Sequence, residues 1–202
     1  MVSTYTQLFA RRYQGKLDPE ADHFIGYILE GASRMHLLLT DLLAYLQIDQ
    51  IEVDKSETNC EEILKNVLSD LQRKISATSA LVTHDLLPRV HGNTMQLTLV
   101  FRNLLENALL FRLSDPPRVH VWAERRDGVW LFAVRDNGIG IEPKYAKQIF
   151  HMFERLHTQA EYPGTGMGLT LCQKIVERLG GEIWVESQLG QGATFYFTLP
   201  LV

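Results

Sequence analysis

Apolar residues in the first fifty positions recur with a helical period. Met1 to Tyr13 reads as one helical piece. The stretch Gly15-Lys16-Leu17-Asp18-Pro19 reads as a turn, with glycine closing one helix and proline opening the next. The second helix is expected to run to about Gln47. Its apolar positions repeat in sevens: Ile28, Met35 and Leu42 form one row, with Ala32, Leu39 and Leu46 beside it. That repeat is the seam of a coiled coil or helix bundle. A helical hairpin this small cannot bury both seams, so the pattern implies a partner for it, either a second copy or the hairpin's own C-terminal neighbour.

A polar connection over residues 49–57 marks the expected boundary between a hairpin domain, 1–50, and a second domain, 51–202. Beyond it the periods mix. Asn59 with Glu62, and Asn93 with Gln96, look like capping boxes that open helices running to about Ser76 and Phe111. Leu81 to His84 reads as a short strand. Val119 to Arg125 and Val129 to Arg135 alternate apolar and polar across Asp127-Gly128, a strong hairpin signal. A helix is expected around Lys144 to Phe153, an irregular stretch from His157 to Gly166, and a helix from Met167 to Leu179. Glu182 to Ser187 and Ala193 to Leu199 close the chain as a hairpin around Gly190-Gln191-Gly192. Strands and helices are segregated, which predicts an α+β class: a helical hairpin, then a mixed, largely antiparallel sheet with helices on one face.

Composition changes this picture little. The 202 residues carry a net charge of -4, which argues against a nucleic-acid footprint. No apolar run reaches the length of a membrane span and no signal peptide opens the chain. Cys60 and Cys172 match no metal or disulfide spacing, so a reducing, cytoplasmic setting is expected.

Three blocks carry the chemistry. Asn103 and Asn107 stand a turn apart on a helical face otherwise lined by Leu99, Val100 and Leu104. Buried carboxamides need partners or a ligand, and an amide oxygen suits Mg²⁺. Asp136-Asn137-Gly138-Ile139-Gly140 ends a strand with a carboxylate able to accept from an exocyclic amine, beside glycines that let backbone approach a flat ring. Gly164-Thr165-Gly166-Met167-Gly168-Leu169 is a glycine-rich loop entering a helix N-terminus, a geometry that holds phosphate. Each block alone also fits an ordinary turn, linker or capped amide pair.

Taken in order, the blocks resemble the catalytic core of bacterial sensor histidine kinases, within the gyrase-type ATP-binding superfamily. Residues 103–111 are similar to its N box, 136–141 to its first glycine box, and 164–169 to its second. Ile149-Phe150-His151-Met152-Phe153-Glu154-Arg155 is similar to its phenylalanine box, and Gly190-Gln191-Gly192-Ala193-Thr194-Phe195 to its last glycine block. Residues 20–47 resemble the second dimerisation helix. Arg155-Leu156-His157 with Glu161-Tyr162-Pro163-Gly164 resembles phytochrome-like members. The resemblance implies an ATP and Mg²⁺ site. In it Asn107 ligates Mg²⁺, Asn103 lies on the phosphates, and Asp136 takes the adenine amine. Gly138, Gly140 and Ile141 line the base, Phe111 packs on it, and Thr194 reaches it through water. Arg155 meets the phosphates from a lid, residues 154–166, and Gly164, Thr165, Gly166, Met167, Gly168 and Leu169 close around them. It also implies a homodimer through the helical hairpin and a response-regulator receiver domain as partner.

The chain departs from the family in two places. Leu110 stands where the family usually has lysine, which removes a charge-assisted contact worth about 1.5–3 kcal/mol unless another cation replaces it. The family's phosphoaccepting histidine would align roughly two helical turns before Met1, so a core cut after that residue, or a start at an internal Met, is expected. Two other functions compete with the kinase core. One is a nucleotide-sensing pseudokinase or dimerisation module. The other is a slow gyrase-type ATPase, for which Glu106 is the only local substitute for the glutamate that activates water in those relatives.

Overall fold

The computed structural model of the chain describes residues 2–49, 57–113, 115–158 and 161–201. These group into two compact units, 1–44 and 45–202. The first holds α1 (Val2–Tyr13) and most of α2 (Pro19–Ile48). The turn between them is fixed by carboxylates: Asp22 accepts from Gly15 N at 2.8 Å, and Asp18 accepts from Ala21 N at 2.7 Å. Ala10, Ile25 and Ala32 are buried in this unit. Ile28, Met35, Leu39 and Leu42, four residues of the seven-residue rows, are exposed. The polar connection lies, between its ends, outside the described residues.

The second unit begins with the last turn of α2. Asp49 accepts from Lys174 Nζ at 3.0 Å and from Arg178 Nη1 at 3.3 Å. The lysine contact is the chief reason the carboxyl sits below its ordinary pKa. A two-stranded antiparallel ribbon follows, formed by β1 (Glu57–Asn59) and β3 (Arg89–His91). The sequence pattern did not announce this ribbon, because three-residue strands are too short to show a period.

The main sheet has five strands in the order β2-β4-β5-β7-β6, from β2 (Leu81–His84), β4 (Arg118–Arg126), β5 (Val129–Asp136), β6 (Ile183–Ser187) and β7 (Ala193–Pro200). Only β2 and β4 run parallel, and α4 (Thr94–Leu110) provides the crossover a parallel pair requires. The alternation in β7 puts Ala193, Phe195, Phe197 and Leu199 inside and Thr194, Tyr196 and Thr198 on the other face. The inner residues meet α4 and α5 (Gly168–Arg178), and α3 (Cys60–Thr78) packs on α4. Phe132 of β5 and Phe197 of β7 stack at 4.7 Å, and Phe101 of α4 meets both edge-on at 6.0 and 5.8 Å. The opposite face carries a half-buried aromatic row: His120 on Trp122, Trp122 edge-on to Tyr196, and Tyr196 stacked on Trp184 at 5.3 Å.

Both caps form. Asn59 accepts from Glu61 N, and Asn93 accepts from Met95 N and Gln96 N. The reciprocal arms of the expected boxes differ, since Glu62 takes the Asn59 carboxamide at 3.0 Å rather than its backbone. The Gln96 amide nitrogen is buried without a partner among the described residues. The helix expected at Lys144 to Phe153 is two 3₁₀ turns, Pro143–Tyr145 and Gln148–Phe150. The Phe150 carbonyl, which would continue a helix, instead accepts from Thr170 Oγ1 at 2.9 Å, and Glu154 N turns back to His151 O. Both cysteines are buried and unpaired, and burial pushes the Cys60 thiol up to about 12. Among the described residues no helix is long and apolar enough to cross a membrane.

Candidate nucleotide site

The topology brings the three blocks to one end of the sheet. The crossover that makes β2 and β4 parallel returns the chain from the C-terminus of α4 to the start of β4. There Val119 pairs with Asp136, the last residue of β5. Because α5 feeds β6 and β6 runs antiparallel to β7, the N-terminus of α5 opens at this same end.

Asp136 is fixed by backbone. Its Oδ1 accepts from Gly138 N at 2.7 Å and from Ala193 N at 3.2 Å. Burial holds the carboxyl above its ordinary pKa, and those two hydrogen bonds pull it back. Gly138 cannot be another residue without movement, because a Cβ there would lie 2.1 Å from the Phe111 carbonyl oxygen. That carbonyl also accepts from Ile139 N at 3.0 Å, so the loop after Asp136 hangs on the C-cap of α4. The last glycine block clamps the first from the other side. Gly190 N donates to Ile139 O at 2.7 Å, and Ile141 N donates to Ser187 Oγ at 2.8 Å.

On α4, Asn103 donates from Nδ2 to Leu99 O at 2.9 Å, and its Oδ1 backs onto Gly168, where a Cβ would stand 2.7 Å away. The first and third blocks are therefore in contact. Asn107 is half-buried one turn further on, and its carboxamide has no hydrogen-bond partner among the described residues. Leu110 is also half-buried. Glu106 turns away from the site and pairs with Lys74 of α3 at 2.5 Å. Met167 makes no side-chain cap on α5, so the backbone N–H groups of its first turn keep the positive end of the helix dipole. Thr165 Oγ1 accepts from Met167 N at 3.3 Å and shapes the entry to that turn.

Two expected residues stand differently. Thr194 pairs with Arg135 and Glu186 on the outer face, one residue past the strand position that meets Asp136. Alternation along a strand forces this: Ala193 occupies the Asp136 side, and its backbone N–H makes the contact. Arg155 gives both guanidinium arms to its own loop, to Tyr162 O at 2.7 Å and Gly164 O at 2.9 Å. Reaching a phosphate would cost those bonds. Ser187 and Ala193 were not expected here, because they reach the loop after Asp136 only through the pairing of β5, β7 and β6.

An Asp-ended central strand, a paired-asparagine helix and an uncapped glycine-rich helix entry, gathered at one end of a mixed sheet, define a known class. The chain belongs to the histidine kinase-, DNA gyrase B- and HSP90-like ATPase family, whose pattern matches residues 92–202. It is 49% identical over 200 residues to cyanobacterial phytochrome A of Nostoc sp., covering 99% of this chain and 26% of that protein. It is 40% identical over 200 residues to the phytochrome-like protein Cph1 of Synechocystis sp., covering 99% of this chain and 27% of that protein. The chain thus spans about a quarter of the length of these curated relatives. Full-length ShkA, solved in complex with AMPPNP, shares the fold with a TM-score of 0.72 at 24% identity, over 98% of this chain and 45% of that one.

Proposed function

We propose that this chain is the ATP-binding catalytic core of a two-component sensor histidine kinase of the phytochrome-like kind. It binds Mg-ATP, passes the γ-phosphoryl group to a histidine, and releases ADP. The phosphoryl group then moves to an aspartate of a response-regulator receiver domain. The observation that carries this reading is Asp136, a buried carboxylate whose one oxygen is held by two backbone amides. Its other oxygen is left to accept from an adenine amine, beside a loop only glycine can form.

In this reading Gly138, Gly140 and Ile141 flank the base, and Phe111 packs against it. The N-terminal amides of Gly168 and Leu169 receive phosphate oxygens, with Asn103 alongside. Magnesium fits the donors present. Among the described residues no cluster of three His, Cys, Asp or Glu side chains could cage a metal. The unpartnered Asn107 amide suits a cation that takes its other ligands from phosphate and water. When bound, Mg²⁺ neutralises charge on the phosphates. This chain's residues orient the nucleotide, and Arg155 acts chiefly by shaping the loop it grips. The exposed seam of Ile28, Met35, Leu39 and Leu42 supports a homodimer through the hairpin of residues 1–50.

The gyrase-type hydrolase reading weakens, because Glu106, its local candidate for activating water, is paired with Lys74. The pseudokinase reading rests on Leu110. Calorimetric titration decides among these. A non-hydrolysable ATP analogue should bind wild type in a Mg²⁺-dependent way. Asp136→Ala should lose binding, and Asn107→Asp should change the Mg²⁺ dependence. No binding to wild type would leave a dimerisation module.

A further inference from the structure

We infer that Tyr162 seats the segment of residues 161–166 on the nucleotide pocket, as a positioning residue that acts through that segment. This rests on the nucleotide reading above. Three rings from two chain segments meet at the mouth of the site. Tyr162 lies 5.0 Å from Phe111, His157 lies 6.2 Å from Phe111, and the two loop rings are 5.1 Å apart. Phe111 is the residue whose carbonyl holds Ile139 N and abuts Gly138, next to Asp136. One residue at the end of α4 therefore carries both the base-end backbone contacts and the contact to the loop.

The backbone behind Tyr162 is braced so that its ring position is passed on. Tyr162 N donates to Thr158 O at 3.1 Å, and Glu161 accepts from both the N–H and the hydroxyl of Thr158. Arg155 draws the Tyr162 and Gly164 carbonyls back to the start of the loop. Gly166, at φ +76, then folds against that start, where a Cβ would lie 2.8 Å from Glu154 O. From there Thr165 and Met167 lead directly into the first turn of α5, whose amides face the phosphates in the proposed function. Where the Tyr162 ring rests thus fixes how the loop delivers that turn. The ring does this without its hydroxyl, which has no hydrogen-bond partner among the described residues.

The test compares Tyr162→Ala and Tyr162→Phe by titration with an ATP analogue plus Mg²⁺, and with adenosine followed by NMR. Tyr162→Ala should weaken the ATP analogue about tenfold and change adenosine by less than about twofold, because adenosine does not use the α5 end. Tyr162→Phe should restore ATP-analogue binding. Thermal melts without nucleotide check that Tyr162→Ala is folded. Full ATP-analogue affinity in Tyr162→Ala, equal loss in Tyr162→Phe, or equal weakening of adenosine would each overturn the assignment. If wild type binds neither compound, the nucleotide reading itself falls and takes this assignment with it. Binding lost in Asp136→Ala but unchanged in Tyr162→Ala would sink this assignment alone.

Discussion

At the scale of single residues, the site depends on contacts too close to vary. Gly138→Ala forces a methyl group against the Phe111 carbonyl, an overpacking expected to cost about 1–3 kcal/mol. Urea denaturation should show the midpoint falling, and nucleotide binding should fall with it. Asp136 makes an opposite prediction for stability. Burial raises its folded pKa above the ordinary 3.8, so its contribution is full below that value and is lost as pH rises through the folded value. Asp136→Asn removes the titration. Its melting temperature relative to wild type should therefore improve between pH 4 and pH 7, even as nucleotide binding disappears. A difference that stays constant over that range would mean the carboxyl is not desolvated. Asp136 and its glycines were legible in the sequence because turn chemistry is local. The partner Ala193 was not, because it arrives by strand pairing from a segment far along the chain.

At the scale of elements, caps and periods told most of the story. Asn93 accepts from two amides of the first turn of α4, so Asn93→Ala should lower stability by about 1 kcal/mol, read from the denaturant midpoint at constant slope. Asn93→Asp should be nearly neutral, which separates capping from packing. The helices and the long hairpin were readable because their apolar faces repeat over many residues. The segment from Lys144 to Phe153 misled for a physical reason. Its apolar residues Ile149 and Phe150 are buried as a helix would bury them, yet the Thr170 hydroxyl claims the carbonyl that would extend the turn. That competitor belongs to another element and leaves no trace in the local pattern. The expected place of Thr194 beside the base turns on the same kind of distant contact. The glycine block fixed where the strand begins, and alternation decided which of its first two residues faces Asp136.

At the scale of the whole molecule, the heptad rows of α2 remain the largest unmet demand. Leu39 is 58% exposed and Met35 55%, more apolar surface than a solitary hairpin should leave in water. Leu39→Glu should shift the molecular mass seen by light scattering from dimer to monomer while leaving ATP-analogue affinity within about twofold, since Leu39 and Asp136 belong to different compact units. A wild type that is monomeric at every concentration would remove the dimer from the proposed function. The sheet's outer face has a different consequence, one for optics. All three tryptophans lie in the sheet: Trp122 and Trp184 in the aromatic row, and Trp130 near the start of β5, the end away from Asp136. Phenylalanine, tyrosine and histidine surround the pocket mouth instead. Indole emission from this protein therefore belongs to the sheet. It can follow unfolding with nucleotide present, and a single tryptophan introduced at Phe111 would supply the pocket with a colour of its own.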